Sequence, residues 1–129
     1  MKRIAVNIRN RVFSESIMMI LQQTGEFRPV RIPDQGPEPI LIECLASKPD
    51  ILLMDVTPKP RDNSIEMRLQ VIRQLRCELP DCKAALLCDE IAFPETARDV
   101  MRAKQDGKVD AFFYASVTAE YLMAALEAI

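Results

Sequence analysis

No histidine occurs among the 129 residues. That absence removes histidine-based nucleophile activation, the usual zinc sites and the commonest general base. It also means that this chain can neither donate nor carry a phosphohistidine. Glycine is nearly as scarce, with three in the whole chain, so a glycine-rich phosphate loop is excluded. The four cysteines, Cys44, Cys77, Cys82 and Cys88, form no CxxC pair. Each lies in or beside an apolar segment, which reads as small buried hydrophobes rather than metal or redox ligands. The net charge is −2 and no basic cluster stands out, so there is no electrostatic footprint for nucleic acid or an acidic membrane. The opening MKRIAVNIRN is too poor in apolar residues for a secretion signal, and no segment approaches a membrane span. A cytoplasmic protein is expected.

What is present is a core. Hydrophobic residues make up 49% of the chain, without a long polar tract, which argues against disorder. The length fits one domain over residues 1–129. Its organising stretch is KPDILLMDVTPKP, from Lys48 to Pro60. Ile51–Met54 is a short unbroken apolar run bounded by prolines, the signature of a strand buried on both faces. It ends in Asp55, and the proline-rich loop beyond cannot continue a ladder. Open α/β sheets place their sites at the carboxyl ends of central strands. Asp55 therefore reads either as a site residue or as a turn cap facing solvent.

The rest of the chain alternates. Arg3–Ile8 is a first strand, and a helix follows with Phe13, Ile17, Ile20, Leu21 and Thr24 at helical spacing, stopped by Gly25. Phe27–Ile32 is a second strand, whose Pro29 and two arginines suit an edge. After the turn Pro33–Pro39, a helix to about Ser47 turns Ile40, Cys44 and Leu45 inward. Beyond the central strand and the loop Val56–Asp62, Asn63 is the expected cap of a helix, with Glu66 completing a capping box. Ile65, Leu69, Ile72, Leu75 and Leu79 mark its buried face, and Pro80 ends it. Lys83–Cys88 is a fourth strand. Pro94 opens a helix with Ala97, Val100 and Met101 inward, stopping near Gly107. Val109–Tyr114 is a fifth strand, and Thr118 caps a last helix with Leu122, Ala125, Leu126 and Ile129 on one face. Repeated βα units of this kind predict a parallel sheet with helices on both faces.

In element order and in the motif PDILLMDV, the chain resembles the receiver domains of bacterial two-component response regulators. The resemblance spans the whole chain. It implies a flavodoxin-like (βα)5 doubly wound sheet of strand order 2-1-3-4-5, and it places Asp55 at the phosphoacceptor position. Many family members continue into a DNA-binding output domain, so residues 1–129 are expected to be a single receiver-like domain, or the amino-terminal fragment of a longer regulator. The family's chemistry also uses two acidic residues after the first strand to hold Mg²⁺, a hydroxyl ending the fourth strand and a lysine ending the fifth. Here Ile8 and Arg9 stand for the acids, with Asn7 just before. Cys88 stands for the hydroxyl and Ala115 for the lysine. Phe112 matches the family's switch aromatic, and equally a buried strand phenylalanine.

The expectation is thus an atypical receiver, a pseudo-receiver that signals through protein contacts and is not an enzyme. The alternative is a working phosphoacceptor, with Asp55 phosphorylated by a histidine kinase with Mg²⁺ bound. Asp89 and Glu90, next to Cys88, offer substitute carboxylates for Mg²⁺ beside Asp55, or simply begin a solvated loop. The Arg9 guanidinium either pairs with Asp55 across neighbouring strands or faces water. By resemblance, the last two helices and the fifth strand carry a homodimer or output-domain surface, where Tyr121 and Met123 are contacts or rim residues. A small-molecule binder of flavodoxin type finds little support, because IRNRVFS after the first strand has no glycine and no run of serine or threonine to cradle a phosphate.

Overall fold

The apolar runs become the strands of one parallel sheet: β1 (Lys2–Asn7), β2 (Phe27–Arg31), β3 (Ile51–Val56), β4 (Lys83–Cys88) and β5 (Ala111–Tyr114). The helices are α1 (Arg11–Thr24), α2 (Pro37–Ser47), α3 (Ile65–Glu78), α4 (Pro94–Gln105) and α5 (Ala119–Ala128). In this computed structural model, which describes residues 1–129, the strand order is β2-β1-β3-β4-β5 with every pair parallel. The alternation predicts a parallel sheet, and the order is that of the flavodoxin-like doubly wound sheet that the resemblance implies.

β3 is central because both of its faces are apolar. Leu52, Met54 and Val56 enter a core with Ile40, Cys44, Val71 and Ile72 from α2 and α3, and Val100 from α4. Ile51 and Leu53 enter a second core with Ile17 and Leu21 of α1, and Leu122 and Leu126 of α5. Each such side chain contributes about 1.5–3 kcal/mol on burial. β2 is an edge strand, as its composition predicts, with Arg28, Val30 and Arg31 exposed and Pro29 where a missing N–H is tolerated. Asn10 caps α1, its Oδ1 accepting the Phe13 N–H at 3.0 Å, and Thr118 caps α5 by accepting the Tyr121 N–H at 3.2 Å. Gly25 ends α1 at φ 72°, a conformation glycine adopts without steric cost.

Several expectations need correction. Ser64, not Asn63, caps α3, its Oγ accepting the Met67 N–H at 3.4 Å. Asn63 lies in a single 3₁₀ turn, Arg61–Asn63, and is 1% exposed because its amide is drawn inward to Asp34. Glu66 still favours the start of the helix through its charge. β5 begins at Ala111 because Asp110 takes over the ladder: its Oδ2 accepts the Ala84 N–H at 2.8 Å and Arg76 Nη2 at 2.6 Å. β3 runs on through Val56, so Asp55 is its penultimate residue. Met101 is exposed, since α4 approaches the sheet through the smaller Ala97, Val100 and Ala103. Cys77 is exposed on α3, while Cys44, Cys82 and Cys88 are buried as expected.

Candidate functional site

Asp55 sits at the carboxyl edge of the sheet, and its carboxylate has two partners. Oδ2 accepts the main-chain N–H of Arg9 at 3.2 Å, and Oδ1 accepts Nη2 of Arg68 at 3.0 Å. Nε of the same arginine donates to the main-chain oxygen of Asp55 at 2.9 Å. Arg68 projects from the first turns of α3, and its side chain is 1% exposed against 14% for Asp55. A second carboxylate, Asp34 in the turn after β2, lies 3.8 Å from Arg68 Nη2 and accepts Asn63 Nδ2 at 3.1 Å. Asn7, buried at the end of β1, donates Nδ2 to the Ile32 oxygen at 3.0 Å and so fixes the segment leading to Asp34.

Burying a guanidinium this fully is costly unless it is paired and hydrogen-bonded, and here two carboxylates surround it. Burial pushes the Asp55 carboxyl above its ordinary range, with Arg68 and the Arg9 N–H pulling it back. Burial likewise draws the Arg68 guanidinium down, opposed by Asp55 and Asp34. An arginine stays protonated in proteins, so Arg68 remains the cation that balances Asp55.

The remaining expected residues divide. Ile8 is buried and, with Asp55 and Ala115, lines a cleft of about 240 Å³. Phe13, Val56, Leu87 and Phe93 complete its apolar wall. Cys88 is buried at the end of β4 and its main-chain oxygen accepts the Ala115 N–H at 2.9 Å. Its thiol is pushed up to about 11 by burial and then by Asp89, Glu90 and Asp55. The expected side-chain pair between Arg9 and Asp55 is not formed: Arg9 is exposed and only its main chain reaches the carboxylate. The guanidinium facing Asp55 comes from α3 instead. Asp89 closes a turn, its Oδ1 accepting the Ile91 and Ala92 N–H groups at 3.1 and 3.0 Å, while Glu90 Oε2 is buried without a partner. Phe112 packs against the core under α2, α3 and α4, edge-on to Tyr114 at 5.5 Å, which suits a strand core residue. A roomier cleft of about 500 Å³ between α3 and Gly107–Lys108 shares no lining residue with the Asp55 cleft, and its Arg76 is held by Asp110.

Sequence reading missed Arg68, Asp34 and Asn63. A signal for the first exists: Ile65, Arg68, Ile72 and Leu75 share the inward stripe of α3. A permanent cation on an apolar stripe requires a buried anion, and Asp55 was the obvious one.

Mg²⁺ does not fit this donor set. No three acidic, cysteine or histidine side chains converge here, whereas Mg²⁺ wants near-octahedral oxygen coordination. Arg68 already supplies a cation to Oδ1 of Asp55. A divalent ion about 4 Å from a guanidinium meets a repulsion on the order of 8 kcal/mol at an effective dielectric of about 20.

The parallel 2-1-3-4-5 sheet with its five helices is the fold of solved response-regulator receiver domains. Solved structures of that kind match it along nearly the full chain. A DNA-binding response regulator of the LuxR family from Staphylococcus aureus aligns over 99% of this chain and 98% of its own, with TM-score 0.78 and 12% identity. The response regulator TrrA from Thermotoga maritima, in complex with Mg²⁺ and BeF, aligns over 99% and 98%, with TM-score 0.74 and 20% identity. A streptococcal redox sensor, of a family evolved from two-component response regulators, aligns over 99% of this chain and 50% of its own, with TM-score 0.74 and 20% identity. At these identities the likeness is one of fold. No protein-family model matches the sequence, and no curated protein is similar to it.

Proposed function

We propose that this chain is a signal-transduction receiver-like domain that regulates through protein–protein contacts, without ordinary Mg²⁺-dependent phosphorylation of Asp55. The observation that carries this reading is the Arg68–Asp55 pair, 3.0 Å long around a guanidinium that is 1% exposed. It gives the acceptor carboxylate a permanent internal cation. The loss of acids at Ile8 and Arg9, of a hydroxyl at Cys88 and of a lysine at Ala115 points the same way. Each missing positioned electrostatic partner commonly costs roughly 100-fold or more in rate. The fold tolerates such a change of use, since one of the similar structures is a redox sensor evolved from response regulators.

The partner is a protein, either an output domain attached to this one or a second copy of the chain. Its surface is α4, β5 and α5, where a cleft of about 420 Å³ lies between Phe112, Tyr114, Val117 and the 64%-exposed Tyr121. Met123 is buried and belongs to the core there. The domain is cytoplasmic and not an enzyme in this reading, as no base accompanies Asp55. No helix is long and apolar enough to cross a membrane.

One observation favours the alternative, a phosphoacceptor receiver served by a histidine kinase and Mg²⁺. Asp55 lines the cleft, and its Oδ2 accepts the Arg9 main-chain N–H and no side-chain cation. Intact mass after incubation with Mg²⁺ and acetyl phosphate decides between the two, with Asp55→Asn as control. The expected result is no change of mass. A phosphoryl-sized increase that disappears in Asp55→Asn overturns the proposal.

A further inference from the structure

We propose that the cleft that Asp55 lines is a binding site for a small molecule with an apolar body and a protonated amine. The proposal rests on the reading that this cleft no longer receives a phosphoryl group, and it names what the altered walls recognise.

The first argument is shape. The cleft holds about 240 Å³, roughly eight water volumes at about 30 Å³ each. That is below the usual range for nucleotides and drug-sized ligands, and enough for one aromatic ring with a short chain.

The second argument is lining. Ile8, Phe13, Leu87, Phe93 and Ala115 come together from both sides of the sheet edge. An apolar body gains from these walls, while a hydrated ion or a phosphate would lose its water against them.

The third argument is charge. No lysine or arginine lines the cleft, and its two charged side chains are both carboxylates, Asp55 and Asp89. Arg68 answers Asp55 from behind. Asp89 has no cationic partner: its Oδ1 takes two main-chain N–H groups and no salt bridge involves it. An anion is therefore disfavoured, and an ammonium donates to Asp89 in a charge-assisted hydrogen bond. A bare divalent cation uses the charge and wastes the walls; the amine uses both.

The test is a titration of the ¹⁵N-labelled full chain, followed by amide shifts, with 2-phenylethylamine, 2-phenylethanol and phenylacetate as probes. The amine is expected to shift the Ile8, Leu87, Asp89 and Ala115 amides saturably, the alcohol about 10-fold more weakly, and phenylacetate not at all. Ala115→Trp, at an exposed position, fills the cleft and is expected to abolish the amine-induced shifts. Asp89→Asn keeps the turn cap and is expected to weaken the amine about 10-fold while leaving the alcohol unchanged. Absence of saturable shifts, equal binding of phenylacetate, or shifts that persist in a folded Ala115→Trp would each overturn the proposal. The titration contains no phosphodonor and the mass experiment no amine, so either can fail alone.

Discussion

Arg68 holds Asp55 at two points, its Nη2 on the carboxylate at 3.0 Å and its Nε on the main-chain oxygen at 2.9 Å. One side chain from α3 thereby fixes both the charge and the backbone of the residue at the head of the central strand. Removing one partner of a buried pair strands the other, at a typical cost of about 3–5 kcal/mol. Arg68→Met is expected to lower the urea-unfolding free energy by that amount. The double variant Arg68→Met with Asp55→Leu is expected to recover most of it, because apolar replacement of both partners is often neutral. Equal stability of the single variant and the parent would show that the pair contributes nothing.

Asp55 should titrate above the ordinary carboxylate value of about 3.9, because burial outweighs its partners. A carboxyl whose folded value is raised contributes stability that is fully present below about pH 3.9 and is lost as pH rises through the folded value. Asp55→Asn removes that titration, so stability should fall less with rising pH in the variant than in the parent across this window. A carboxyl ¹³C titration of Asp55 with a midpoint below about 3.9 would contradict the burial argument.

Cysteine reactivity should separate cleanly. Cys77 is exposed, whereas burial raises Cys44 to about 12 and Cys82 and Cys88 to about 11. Iodoacetamide at neutral pH is expected to label Cys77 alone in the folded protein and all four residues in urea. The raised thiols also contribute stability that is present below the unfolded value of about 8.5 and is lost as pH rises toward the folded values. Labelling of Cys88 in the native state at a rate like that of Cys77 would sink this prediction.

Restoring acids after β1 should not by itself restore metal binding. Ile8→Asp with Arg9→Asp is expected to bind Mg²⁺ weakly while the guanidinium stays beside Asp55. Adding Arg68→Gln should tighten binding at least 10-fold, measured by calorimetry on variants shown to be folded. Tight binding before Arg68 is changed would mean that this arginine is no obstacle.

The fold was legible because its signals are local. Ile51–Met54 is a short apolar run closed by prolines, which marks a doubly buried strand, and Pro29, Gly25, Pro94 and Thr118 mark an edge, a stop and two starts within a few residues of themselves. The position of Asp55 was legible for the same reason. Its partner was not, because Arg68 lies 13 residues on and reaches Asp55 only once α3 is laid against the sheet. Arg9 was the nearer cation in topology, but Ile8 turns into the core and leaves Arg9 at the surface. Asn63 and Ser64 both satisfy the rule for a helix cap. Only the tertiary pull of Asp34 on Asn63 chooses between them.

Arg76 and Arg68 lie on the same helix and act at opposite edges of the sheet. Arg68 ties the start of α3 to the head of β3, and Arg76 ties its end to Asp110 at the foot of β5. The two anchors are eight residues apart, about 12 Å along the axis at 1.5 Å per residue. Mechanically, α3 is a strut pinned at both ends. A tilt or slide of α3 that follows a change at one edge strains its contacts at the other, so the helix couples the two edges of the sheet.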